Sequence, residues 1–338
     1  MTRTSFQIGV ALLMLFAGTT THAQKSNCHI QKTFHINGDG KWDYLAVSPV
    51  QPYLYIAHGT EVNIVDKTNG ETVNKIPNTE GVHGIAFAPE FGRGYTSNGR
   101  SNDLTIFDIK TNKVTGKISV GENPDAVMYD VFSKKIIVCN GRSNDISIVD
   151  PATNKVIKTI PLGGKPETAV SDEKGELFVN IEDKNEVVAI DAKEFAVVNR
   201  WHTGKGEEPS GLAMDIKTRR LFAGCSNKIL VVMDADNGKV VKEIPIGDGC
   251  DGVAFDPSVK QVYSSNGSGT LTIIKEKSAD QYIVVANMPT KKGARTIALD
   301  PVTHLLYLPT AAFEKAENGK RPNITPGSFE VLVVGEGN

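Results

Sequence analysis

A marker residue within a short apolar stretch returns at a near-constant interval along this chain. It stands at Ala46 (DYLAVSP), Ala86 (HGIAFAP), Met128 (DAVMYDV), Val170 (ETAVSDE), Ala213 (SGLAMDI), Ala254 (DGVAFDP) and Ala298 (RTIALDP), in steps of 40, 42, 42, 43, 41 and 44 residues. Seven copies at that period require a solenoid or a propeller. Within one copy, Gly84–Ala88, Arg93–Ser97, Leu104–Asp108 and Lys113–Val120 read as four strands, a to d, separated by turn residues. Four-stranded antiparallel sheets packed radially leave only short, protected edges. The expected fold is therefore all-β, a seven-bladed β-propeller with blades beginning near 42, 82, 124, 166, 209, 250 and 294 in a single domain over 24–338.

Two connections recur with the strands. The hexapeptide NGRSND joins b to c at Asn98–Asp103 and again at Asn140–Asp145. The turn after strand c opens on Asp66, Asp108, Asp150 and Asp234 and ends on Gly, or on Asn before Lys. Asp accepts hydrogen bonds from backbone two residues on, and Asn or Gly tolerates the positive φ that ends such a turn. These aspartates are read as turn formers. The last copy stops after strand c (Phe329–Val334), whereas His29–Gly40 looks like a strand d with its exit. The N-terminal strand is thus expected to complete the seventh blade and remove a free edge.

Residues 1–23 read as a secretory leader: Arg3, the apolar run Ile8–Gly18, then Thr21-His22-Ala23 before Gln24. The run is too short to span a membrane. The expected location is periplasmic or secreted, and the protein is expected to be a monomer. The formal net charge of −2 excludes a globally basic nucleic-acid surface. Four cysteines occur, at 28, 139, 225 and 250. Cys225 and Cys250 fall in connections on the same face, so a disulfide between them is set against two free thiols. No CxxCH and no zinc-type Cys spacing is present, and no cofactor is predicted.

The strand b endings carry a resemblance. Tyr95-Thr-Ser-Asn98 has looser versions at Ile137-Val-Cys-Asn140, Phe178-Val-Asn180 and Tyr263-Ser-Ser-Asn266, whereas Tyr55-Ile-Ala-His58 and Tyr307-Leu-Pro-Thr310 depart from it. With these motifs the chain resembles the YncE-like family of seven-bladed YVTN-repeat propellers over essentially all of 28–335. The resemblance implies an exported propeller, and single-stranded DNA binding is associated with one relative. It is specific for fold and says little of function, because propellers host binding, scaffolding and catalysis alike.

The d–a and b–c connections of such blades share one face, and the d–a loops feed the strand nearest the axis. Three positions before each marker stand Asp43, His83, Asp125, Glu167, Ser210, Asp251 and Arg295. A ring of these at the channel mouth, with Arg100 and Arg142 from the two NGRSND copies, is the expected ligand-binding surface. The alternative is that the ring and the arginines only brace loops. No metal site is predicted; His58, His83 and Asp43, with Glu80 and Asp125 near them, are the residues at hand for a divalent ion. Trp42 either stacks a ligand at the mouth or packs the core. No G-x-S-x-G and no Ser/His/Asp set is found. The expected function is non-catalytic binding of a protein, peptide or small anionic ligand. A lactonase-like hydrolase or lyase using mouth carboxylates, and single-stranded DNA binding, are the alternatives.

Overall fold

The computed structural model describes residues 27–38, 40–315 and 322–337. These form seven four-stranded antiparallel sheets, six of them running in chain order from inner to outer strand. Blade one is Trp42–Val47, Tyr53–His58, Glu61–Asp66 and Thr72–Ile76; blade two is Val82–Ala88, Arg93–Asn98, Asp103–Asp108 and Val114–Ser119. Blades three to six open with Pro124–Asp130, Pro166–Ser171, Pro209–Asp215 and Cys250–Asp256. Blade seven takes Ala298–Leu299, Leu306–Thr310 and Glu330–Glu336 from the C-terminal end and its outer strand, Cys28–His35, from the N-terminal end. Thr33 there faces Leu332, and His35 faces Glu330. The expected propeller and its expected closure are both present. The leader at 1–23 lies outside the described residues, among which no helix is long and apolar enough to cross a membrane.

The core lies between blades. Successive residues of a strand point to opposite faces, so a strand covered on both sides feeds two seams. Leu54, Ile56 and Val65 pack against Phe34, Tyr307 and Val331 of blade seven. Their neighbours Tyr55, Val62 and Ile64 pack against Ile85 and Phe107 of blade two. The repeat motif adds a polar staple across the same seams. The Tyr55 hydroxyl donates to Asn112 Oδ1 of the next blade's turn at 2.6 Å, and Tyr95 does the same to Asn154 at 3.3 Å. Asp108 shapes that turn as expected: it accepts the amides of Lys110 and Thr111 at 3.0 and 2.8 Å, and Asn112 closes it at φ +59°. The hexapeptide closes on itself, with Asn98 Nδ2 donating to Asp103 Oδ1 at 2.6 Å and to Thr105 Oγ1 at 2.8 Å.

The structure corrects the disulfide alternative: Cys225 and Cys250 are not bridged to each other. Cys225 packs in the seam between blades four and five and donates to Ala223 O of its own strand. Cys250 packs in the next seam, donates to Gly252 O and accepts from the Ser264 hydroxyl. Burial pushes both thiols up to about 12, so neither is a thiolate at neutral pH. Reaction of the unreduced, denatured protein with a thiol reagent should therefore modify all four cysteines; two would mean that a bridge forms.

The closing strand is seated on a glycine. Gly70 ends blade one's turn at φ +78°, and a Cβ there would lie 2.3 Å from Phe34 Cδ1. Gly70→Ala should cost about 2–4 kcal/mol in denaturant unfolding, from backbone strain plus overpacking. Gly92, at φ +64° with nothing within 4 Å of the added carbon, is the control and should cost only about 1 kcal/mol. Equal losses would show that Phe34 yields freely and that the seam is not tight.

Candidate functional site

Six of the seven blades break register at the start of strand a. The irregularities fall between Trp42 and Leu45, Val82 and Ile85, Pro124 and Val127, Pro166 and Ala169, Pro209 and Gly211, and Cys250 and Gly252. A bulge re-aims a side chain and ends pairing. Each interval contains one of the expected mouth residues. The local device that ends the ladder therefore also delivers a polar side chain to the channel.

The delivered side chains meet. Asp43 Oδ2 lies 2.6 Å from His83 Nδ1, and Asp125 Oδ1 lies 3.8 Å from the same nitrogen. On the other side, Arg295 Nη2 reaches Asp43 Oδ1 at 3.5 Å and its Nε reaches Asp251 Oδ2 at 2.5 Å. The Ser210 hydroxyl bonds Asp251. Glu167 pairs with Lys165 at 3.0 Å, and Lys165 also bonds Glu182. Tyr44, inside the mouth, has its hydroxyl 3.5 Å from Thr168 Oγ1. Below it a narrow cavity of about 150 Å³ is lined by Leu45, Ile85, Val127 and Met128.

Acids outnumber bases here, and the buried ones feel it. Burial, then the charges of Asp43 and Asp251, push the Asp125 carboxyl well above its ordinary range. Burial and then Asp125 do the same to Glu167, against the pull of Lys165. Tyr44 is raised by burial and by Glu167, Asp125, Asp251 and Asp43. Burial works against the charge of Arg295, but Asp251 and Asp43 outweigh it and hold the guanidinium ionised.

The expected residues divide into two sets. Asp43, His83, Asp125, Glu167, Ser210, Asp251 and Arg295 come together. Arg100 and Arg142 do not join them: both stand exposed and make no ion pair among the described residues, while Asp103 bonds Asn98 and Lys117 and Asp145 bonds Asn140. The alternative in which each arginine braces its loop by pairing with a neighbouring aspartate is not seen among the described residues, although the Arg100 and Arg142 amides bond the carbonyls of Glu80 and Glu122 at 3.1 Å. His58 is not at the mouth; it is buried, bonded to Asn63 Oδ1 at 2.9 Å and packed on Phe329. Trp42 is also buried, stacked on Phe329 with centroids 5.5 Å apart, which answers the question of its role in favour of packing. Sequence reasoning missed Lys165 and Tyr44. Their signals were a lysine two residues before Glu167 and an aromatic inside the first bulge.

A sequence model of the Cytochrome D1 heme domain family matches residues 54–298. A search of the curated proteins finds no match. Among solved structures, hydrazine synthase of Kuenenia stuttgartiensis superposes with a TM-score of 0.70 at 18% identity, covering 83% of this chain and 95% of that one. The WD40 repeats of RRP9 superpose at 0.77 with 9% identity, covering 92% and 99%. U3-55K superposes at 0.74 with 10% identity, covering 89% and 98%. These likenesses concern the fold. The family match corrects the expectation of no cofactor, because the family is that of a heme domain. The expectation rested on the missing CxxCH, which reports only covalent attachment. A haem held by an axial side chain alone leaves no such spacing to find.

Glu167 provides a test of the mouth's electrostatics. Its pKa in the folded state lies above the ordinary 4.5. The native protein therefore binds a proton more readily than the unfolded chain, and this group's contribution to stability falls as pH rises above about 4.5. Glu167→Gln should gain stability relative to the parent at pH 8 and show no such gain at pH 4, measured by urea unfolding. A loss at pH 8 would mean that the Lys165 pairing dominates.

Proposed function

This chain belongs to the Cytochrome D1 heme domain family, and on that premise we propose that it is an exported, non-catalytic binding propeller of the YncE-like kind. Its ligand face is the side of the d–a and b–c loops. The observation that carries this reading is the mouth itself, where one side chain from every blade converges on the channel. Loops on a rigid scaffold are where recognition groups concentrate. The mouth favours a cationic group: Asp43, Asp125, Glu167, Asp251 and Glu182 outnumber Arg295, Lys165 and His83, and a bound cation would draw the raised carboxyls of Asp125 and Glu167 toward their charged forms. A small anion is repelled from the mouth and can be met only on the rim, at Arg100 and Arg142. Catalysis is less supported. The ring's hydroxyl, Ser210, bonds a carboxylate, and no imidazole is among its hydrogen-bond partners. An acid-rich mouth also disfavours single-stranded DNA, whose affinity comes from cations on phosphates.

The family match supports a second binding place, for haem. His83 is the ring's imidazole, with Nδ1 bonded to Asp43. Its Nε2, however, faces Gly99 so closely that a Cβ there would lie 2.7 Å away. The porphyrin does not fit over His83 with that loop in place. A groove of about 640 Å³ on the same face, beside blade seven, has more room and is lined by His35, Lys291, Lys292, Ala311, Ala312 and Phe313. The His35 side chain is 79% exposed. His35 would supply the axial nitrogen, Lys292 a partner for a propionate, and Phe313 a ring face; the haem would supply a redox-active iron. Lys291 is already bonded to Glu330.

Thermal melts test the mouth, since a ligand of the native state raises the melting temperature by mass action. Putrescine should raise it and succinate should not, and Asp251→Asn should remove the effect of putrescine. A shift with succinate alone would overturn the charge argument. Hemin titration followed at the Soret band tests the groove: a bound spectrum is expected, lost in His35→Ala. A spectrum lost in His83→Ala instead would overturn the groove and place the haem at the mouth.

A further inference from the structure

We propose that Asp43, His83 and Asp125 form a site for one divalent transition cation at the channel mouth. The site deepens the reading of the mouth as the binding surface and rests on it. The three residues come from the same position of three consecutive blades, each inside a strand a bulge. One donor atom from each lies within 4.8 Å of the other two. The pivot is His83 Nδ1, which is 2.6 Å from Asp43 Oδ2 and 3.8 Å from Asp125 Oδ1. An ion about 2.1 Å from each of three donors sets those donors roughly 3–3.5 Å apart. These two spacings bracket that range, so small side-chain shifts would replace the shared proton by a shared cation.

A second observation points to a ligand. Asp125 is only 7% exposed, and its Oδ1, the atom aimed at His83, accepts no hydrogen bond. A buried carboxylate oxygen left so is costly unless something positive or donating meets it. Lys165, the nearest lysine to this side of the ring, is occupied by Glu167 and Glu182. A cation between Asp43 and Asp125 would satisfy both carboxylates at once.

The surroundings suit ligation. Arg295 holds the other oxygen of Asp43 at 3.5 Å, and the Thr296 hydroxyl bonds the Asp43 carbonyl at 2.7 Å. The Ser97 hydroxyl bonds the Asp125 carbonyl. Such outer contacts fix ligand orientation. Nε2 of His83 is turned to Gly99, which leaves Nδ1 as the ligating nitrogen. Two carboxylates and one imidazole suit zinc, manganese or iron(II) better than calcium, which takes six to eight oxygens. The side chain of His83 is 28% exposed, so the remaining coordination positions open to the mouth, where a ligand donor or water completes the shell.

Calorimetric titration of the chelator-dialysed protein with zinc chloride, repeated with manganese chloride, decides the matter. One zinc per chain is expected, with affinity falling by about 100-fold or more in Asp125→Asn and in His83→Gln, beyond the loss typical of an outer-contact change. Lys155→Gln, on the exposed outer strand of blade three, should bind as the parent does. Circular dichroism melts of each variant show that the fold is kept, and Asp43→Asn replaces any variant that does not fold. Full zinc affinity in Asp125→Asn, or no zinc bound by the parent, would overturn the site. If zinc fails while putrescine still shifts the melt and loses its effect in Asp251→Asn, the ion site falls and the binding mouth stands; if both are silent, both fall.

Discussion

Ring closure by the strand Cys28–His35 is the constraint on which the remaining geometry depends. Each blade buries its two faces against different neighbours, so no blade has a complete core of its own. Blade one packs on Phe34, Tyr307, Val331 and Val333 as firmly as on blade two. Opening the last seam would expose both that cluster and the edge of Glu330–Glu336, an unpaired row of backbone donors and acceptors. A repeat protein that propagates in one dimension can fray from an end. Here the ends are the two halves of one sheet, and fraying must break seven backbone-paired residues at once.

Closure also fixes the chemistry of the mouth. Seven first strands around one axis bring seven equivalent positions together whatever residues occupy them. In six of the blades a bulge then turns that side chain inward. Like charges cannot be avoided by moving apart, so they are managed by alternation: Arg295 stands between Asp43 and Asp251, and His83 between Asp43 and Asp125. The alternation is weakest at Asp125 and Glu167, two buried carboxyls that stay raised although Lys165 pulls against both. That side of the ring is held at a cost to stability. Positions that break local rules without an obvious structural return are where function is expected.

Much of the fold was legible because its causes are local. The period, the four strands and the Asp-initiated turns follow from alternation and turn chemistry, and Asp108 and Asn112 do in the structure what their types imply. The closing strand was legible because a missing strand at one end matched a surplus strand at the other. The seven mouth positions were legible for the same reason: the repeat supplies their common address. Other features depend on which atoms meet across seams. Nothing in the sequence said that Asp103 would bond Asn98 and Lys117 rather than Arg100, or that His58 would turn inward onto Phe329. Cys225 and Cys250 sit on loops of one face, yet each side chain enters a different seam. The cofactor expectation failed differently, since it treated a covalent-attachment motif as a test for every kind of haem.

The same close packing that makes the ring stable limits what it can hold. Gly99 lies against His83, Gly84 against the Asp125 carbonyl, and Gly211 and Gly252 against the next blades' backbones, so the strands approach as near as absent side chains allow. At Gly211 and Gly252 the seams are closed by backbone rather than by side chains that could swing aside. The groove beside blade seven lies where the b–c connection is longest and departs most from the repeat. A propeller can keep its mouth tight while a single lengthened loop changes what its face accepts.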